Sequence, residues 1–156
     1  MVSKVFRYAV LFLLLVSGPV VGADYGSAAT EARRGFEEIL DLWRAENYEG
    51  LFARLEHPPG KGWEYFAQRI VYASRLPACC WEKLQEVKVT AIDADNVIIN
   101  ARVGFEVEGV GTRYVVQEFH LHRSGGIWKL PLSVILDLAD YNIQRIPRKI
   151  YERRLD

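Results

Sequence analysis

The sequence is poor in the residues that most often build metal and redox sites. Its 156 residues include two cysteines, three histidines and one methionine. The cysteines are far from any histidine along the chain, so they lack the spacing of a zinc site. A chain of this length also buries a core without disulfide staples. Because the cysteines and histidines lack the spacing of a metal site, we predict none.

An excess of charge of one sign is missing as well. The chain has 20 basic and 20 acidic residues and a formal net charge of zero. This balance gives no electrostatic reason to expect binding to nucleic acid or to an anionic membrane surface. The sequence also lacks a glycine-rich phosphate loop and a nucleophile elbow. We predict no cofactor and no nucleic-acid partner.

Long hydrophobic runs are absent, apart from a short one near the N-terminus. Lys4 and Arg7 precede an apolar stretch at residues 8–16, and Gly18 and Pro19 follow it and end the apolar run. A membrane-spanning helix needs about 20 apolar residues. The order of a basic segment, a short apolar segment and a break is typical of a secretory signal peptide.

Small residues then mark a cleavage point. Val21-Gly22-Ala23 fits the small-residue site of a signal peptidase. The sequence therefore predicts a signal peptide at residues 1–23 and a periplasmic or extracellular protein. After cleavage we expect no stable membrane insertion.

The two cysteines, Cys79 and Cys80, are adjacent. An oxidising compartment permits a disulfide. Adjacent Cα atoms lie ~3.8 Å apart, below the usual range for a disulfide, so a bond between the two is strained. Free buried thiols and a link to another molecule are easier states, and the sequence leaves both open.

Apolar residues in the first half of the chain recur at helical spacing. After a polar leader at residues 24–29, the pattern predicts three helices. Their apolar positions are, in turn, Phe36, Ile39, Leu40 and Trp43; Tyr48, Leu51, Phe52 and Leu55; and Trp63, Phe66, Ala67, Ile70 and Val71.

The second half changes to a period of two. Four runs alternate apolar and polar residues and are separated by Gly or Asn turns, at residues 85–92, 97–107, 115–122 and 128–136. Such runs predict an antiparallel meander of about four strands, with one apolar and one wetter face. Residues 138–156 are predicted to be a C-terminal tail.

Two stretches carry a resemblance to a known family. Residues 36–52, FEEILDLWRAENYEGLF, and residues 119–130, FHLHRSGGIWKL, resemble the opening helices and the Trp-containing hairpin of the nuclear transport factor 2-like superfamily. The resemblance implies an α+β domain at residues 30–137, in which three helices pack on a curved, cone-shaped antiparallel sheet. The superfamily includes isomerases, dehydratases, cyclases and non-catalytic binding modules.

A candidate ligand-binding site follows from strand parity. Gln117 shares the inward side of its strand with Val115 and Phe119, which places an amide among apolar side chains. Its partner is a ligand, a water or a protein group such as a tyrosine hydroxyl. The residues that we predict to bind a small apolar ligand are Gln117, Trp63, Phe119 and Tyr72. The aromatic residues among them are also consistent with ordinary core and rim packing.

Residues with acid–base chemistry lie on the opposite parity. Glu118, His120 and His122 alternate with Phe119 and Leu121, so we expect them on the outer face of the sheet. Asp93 and Asp95 close a strand, where a plain turn accounts for them. We therefore predict no catalytic residue.

Together these features favour an exported binding or interaction domain. It would hold a small apolar ligand inside the cone, bind a partner protein or form a homodimer through the sheet. The alternative is a lyase or isomerase that acts on a hydrophobic substrate inside the cone.

Overall fold

The computed structural model describes residues 25–140. They fold as an α+β domain, as the sequence predicted, with a long helix before a mostly antiparallel sheet. The helices are α1 (Tyr25–Arg44), α2 (Tyr48–Ala53), α3 (Trp63–Ile70) and α4 (Leu132–Ala139). The strands are β1 (Leu55–Glu56), β2 (Arg75–Pro77), β3 (Leu84–Ala91), β4 (Asn96–Val107), β5 (Gly111–Ser124) and β6 (Ile127–Pro131).

The sheet is larger and more mixed than predicted. Its six strands follow the order β1-β6-β5-β4-β2, and β3 pairs with β4 beside β2. The β1–β6 pair is parallel, whereas the other pairs are antiparallel. The prediction of about four antiparallel strands was incomplete because β1 and β2 are too short to show an alternating pattern.

Helix α1 covers one face of the sheet, which we call the inner face. Its buried side recurs every three or four residues, at Ala28, Ala32, Gly35, Phe36, Ile39, Leu40 and Trp43. The Phe36 ring lies 4.6 Å from the Phe119 ring of β5, and the Trp43 ring lies 5.5 Å from the Phe105 ring of β4. The helix begins at Tyr25, inside the stretch that we expected to be a polar leader.

Strand parity sorts β4 and β5 into two faces, as predicted. Phe119 and Leu121 are buried toward the helices, whereas His120 and His122 are exposed on the other side. We call that other side the outer face. The orientation of the histidines therefore agrees with the alternation in the sequence.

The sheet is not strongly curled, so the curvature expected of a cone-shaped fold is not present. β4 and β5 pair residue by residue from Asn96↔His122 to Val107↔Gly111 without a register shift. Bulges are the usual device that bends long strands. The recorded shift instead falls in β3, between Gln85 and Lys88.

The predicted fourth strand was too long. β6 ends at Pro131, and the residues after it form α4 rather than more strand. Leu132 and Leu136 fit a strand period and a helix period equally well, which explains the error. The tail was predicted from residue 138, but Leu138 and Ala139 are buried in this helix.

Two predictions concern residues outside those described. The signal peptide at residues 1–23 and the tail beyond Asp140 both lie there. Within residues 25–140, no helix combines the length and the hydrophobicity that crossing a membrane requires.

Candidate functional site

Two of the four predicted ligand-binding residues lie on the inner face. Gln117 is half-buried and pairs in register with Ala101. Its side chain forms no hydrogen bond with another residue of the described range. Phe119 is fully buried against Phe36, so its ring belongs to the core. Ligand binding by this pair stays a prediction.

The other two, Trp63 and Tyr72, belong to the helical side of the domain. Trp63 begins α3, and its ring lies 5.6 Å from Phe52 and 5.8 Å from Phe66. Phe52 also stacks on the His57 ring at 4.8 Å. Tyr72 is half-buried just after α3. Trp63 therefore packs with α2 and α3, whereas Phe119 packs with α1.

The centre of the outer face combines apolar and polar side chains. Val116 of β5 is 64% exposed and pairs in register with Arg102 of β4, whereas Ile98 is half-buried four residues before Arg102 on the same strand. The exposed pair Asn100↔Glu118 lies between the two apolar residues, and His120 is exposed opposite Ile98. This patch is open because α1 packs on the opposite side of the sheet.

The histidines of the outer face do not form a metal site. His122 Nδ1 lies 3.0 Å from the Asn96 side-chain oxygen. Throughout residues 25–140, no group of three or more His, Cys, Asp or Glu side chains is placed to hold a metal ion.

A strained loop lies at the edge of the sheet between β2 and β3. We call residues 79–82 the edge loop. The Ala78 amide donates to the Gly104 carbonyl at 2.8 Å, and the Gly104 amide donates to the Lys83 carbonyl at 3.2 Å. A Cβ at position 104 would lie 2.2 Å from the Glu82 carbonyl oxygen. Gly104 therefore permits the loop to fold closely over β4.

Side chains of β5 hold the end of the edge loop. The Glu82 carboxylate accepts hydrogen bonds from Thr112 Oγ1 at 3.3 Å and from the Tyr114 hydroxyl at 3.2 Å. Burial raises the pKa of Tyr114, and the negative charge of Glu82 raises it further. The Arg102 guanidinium lies 3.9 Å from the Tyr114 ring centre. Sequence reasoning missed this cluster because no local pattern links residue 82 to residues 112 and 114.

The edge loop exposes one thiol and one indole. Cys80 is exposed and Cys79 is half-buried, and both are free thiols. Of the two states that the sequence left open, a buried free thiol does not describe Cys80. A hydrogen bond with the Cys80 thiol is the chief reason that the pKa of Cys79 is raised. Trp81 is 73% exposed.

The carboxylates between β3 and β4 form the plain turn that the sequence favoured. Asp93 Oδ1 accepts hydrogen bonds from the backbone amides of Asp95 and Asn96, both at 2.8 Å. The bond from the Asp95 amide is the main reason that the pKa of Asp93 is lowered, followed by the bond from the Asn96 side chain and then that from the Asn96 amide. Arg123 binds Asp95 at 2.9 Å and Glu31 of α1 at 3.0 Å.

Comparison with known proteins gives no family from which a function could be assigned, so the geometry above is the basis for one. No protein-family model matches the chain, and no curated protein matches it significantly.

Proposed function

We propose that this protein is an interaction domain that pairs with a second copy of itself through the outer face of its sheet. The observation that carries the proposal is the exposure of Val116, at 64%, in the middle of that face. Burying Val116, and with it the half-buried Ile98 farther along β4, against a partner removes apolar surface from water, which favours association.

Charges around the two apolar residues support a self-complementary interface. Lys88 and Glu118 carry opposite charges on this face, and neither forms an ion pair with another residue of the described part of the chain. A two-fold symmetric interface joins the same patch of both subunits. Each subunit therefore offers the other one acid and one base.

The fold proposal is membership of the nuclear transport factor 2-like superfamily. The element order supports it, because α1, α2 and α3 precede the long antiparallel strands β3, β4 and β5. The weakly curled sheet is a departure from the superfamily's cone. Export through a signal peptide at residues 1–23 is part of the same proposal.

Binding of a small apolar ligand inside the domain is the other form of this interaction function. Phe36, Trp43, Phe105 and Phe119 occupy the space between α1 and the sheet. Gln117 is half-buried at the edge of this packed region, so a ligand would approach beside it. Because the rings already fill the centre, we favour pairing through the outer face over an internal ligand. The same packing gives no support to the lyase or isomerase alternative.

The experiment compares two valine variants of the purified chain. Light scattering coupled to size exclusion, together with native mass spectrometry, should give a dimer for the wild type. Val116→Glu places a charge in the interface and should give a monomer whose circular dichroism is unchanged. The matched control is Val110→Glu, because Val110 is 52% exposed in the turn between β4 and β5. This control should remain a dimer.

Two results would contradict the proposal. A wild-type chain that stays monomeric at concentrations of hundreds of micromolar would exclude stable pairing. Equal loss of dimer in both variants would show that the effect comes from added charge and not from the outer face. Native spectra would also reveal any retained small molecule.

A further inference from the structure

The two cysteines lie on the edge loop, whose ends are held in place by hydrogen bonds. Backbone hydrogen bonds join both ends of the loop to Gly104, and Glu82 is held by Thr112 and Tyr114. On the other side, Lys83 Nζ donates to the Asp41 carboxylate of α1 at 2.6 Å. Chemistry at the two thiols therefore takes place on a loop whose ends are fixed.

The two thiols differ in their access to solvent. Cys80 is exposed, whereas Cys79, the adjacent residue, is half-buried. An exposed thiol meets an incoming disulfide first. A thiol on the adjacent residue is placed to attack the mixed disulfide that results. The pair therefore has the arrangement of an attacking cysteine and a resolving cysteine.

Ring strain would make a bond between these thiols labile, and it would be added to a backbone that is already strained while the thiols are free. Cys80 has φ 58°, in the left-handed region that residues with a side chain rarely adopt. The small ring that closes through one peptide bond adds strain, because adjacent Cα atoms are ~3.8 Å apart. Strained and exposed disulfides are more easily reduced than structural ones. Such a bond forms and breaks in exchange instead of stapling the fold.

We propose that Cys79 and Cys80 form a thiol–disulfide exchange site whose substrates are disulfides such as glutathione disulfide. The Cys80 thiolate attacks one sulfur of the substrate, a mixed disulfide forms, and the first substrate thiolate leaves. The Cys79 thiolate then attacks Cys80 Sγ and expels the second substrate thiolate. The two cysteines lose two electrons and two protons, and the substrate disulfide is reduced to two thiols. The chemistry at this site does not require the proposed pairing, but the edge loop is anchored through Glu82 to Tyr114, which lies on the same outer face as Val116.

The test treats the reduced full-length chain with an excess of glutathione disulfide and follows its mass after acid quenching. The wild type should lose the mass of two hydrogen atoms and retain no glutathione. Cys79→Ser should accumulate one glutathione, because the mixed disulfide on Cys80 has no resolving thiol. Cys80→Ser should form the adduct at least tenfold more slowly than Cys79→Ser, because its remaining thiol is half-buried.

The outcomes separate the proposal from its alternatives. A wild type that keeps one glutathione would show that Cys79 does not resolve, and a covalent dimer through Cys80 would show a link between copies instead. Either result overturns the proposal, as would equal reaction rates for the two serine variants. The wild-type stoichiometry decides the matter even where a variant fails to fold. Dithiothreitol should return the oxidised wild type to its original mass.

Discussion

Gly104 shows how one missing side chain decides the local structure at the residue scale. Both of its backbone polar groups bond to residues that flank the edge loop, and the loop passes over its α-carbon. The exposed thiol, the exposed indole and the Glu82 carboxylate all depend on this close approach. A methyl group here meets backbone, which cannot rotate away as a side chain does.

The first prediction is that Gly104→Ala destabilises the fold and displaces the edge loop. Its Cβ would lie 2.2 Å from the Glu82 carbonyl oxygen, so β4 or the loop must move. We expect a loss of about 1–3 kcal/mol in the free energy of unfolding, measured with urea. Gly62→Ala is the control, because a Cβ at Gly62 has no neighbour within 4 Å. An equal loss in both variants would contradict the prediction.

A second prediction at this scale concerns pH. The pKa of Asp93 is lowered in the fold from the ordinary 3.8, chiefly by the backbone amide of Asp95. A lowered pKa stabilises the folded state above the unfolded pKa, and this contribution is lost as pH falls through the folded pKa. The wild type should therefore exceed Asp93→Asn in stability above about pH 5, and the difference should shrink below pH 3.8. Thermal unfolding at a series of pH values measures it, and a gap that stays constant down to pH 2 would refute the mechanism.

The long elements could be predicted from the sequence, whereas the short ones and the edge loop could not. β3, β4 and β5 show an alternation long enough to fix their faces and most of their extent, although β5 begins at Gly111 and not at the predicted residue 115, so the exposure of His120 was predicted. β1 is stabilised by pairing with β6, a contact between distant parts of the chain that leaves no local pattern. The edge loop likewise depends on Gly104, whose role emerges only when residues 78 and 83 meet it. The adjacent cysteines were visible in the sequence, but their exposure depends on the contacts of the edge loop with Gly104, which is distant in the chain.

At the scale of the whole molecule, the two faces of the sheet differ in what covers them. The inner face is filled by α1 and its aromatic contacts, which leaves the outer face and the edge loop as accessible surface. The thiol chemistry requires an environment where disulfides exist, and exported proteins meet such an environment. Export, if it occurs as proposed, connects the N-terminal sequence to the thiol-exchange proposal.

The last prediction tests that link at the N-terminus. If residues 1–23 are a signal peptide, the exported protein begins at Asp24, one residue before α1 begins at Tyr25. Cleavage should depend on the small residue at position 23, because signal peptidase accepts small side chains there. Ala23→Phe should leave a longer precursor in the membrane fraction, whereas Ala29→Phe should be cut normally. N-terminal sequencing and cell fractionation measure both results. If the wild-type protein instead keeps Met1 and stays in the cytoplasm, the two thiols lie in a reducing compartment. The exchange would then run toward the dithiol.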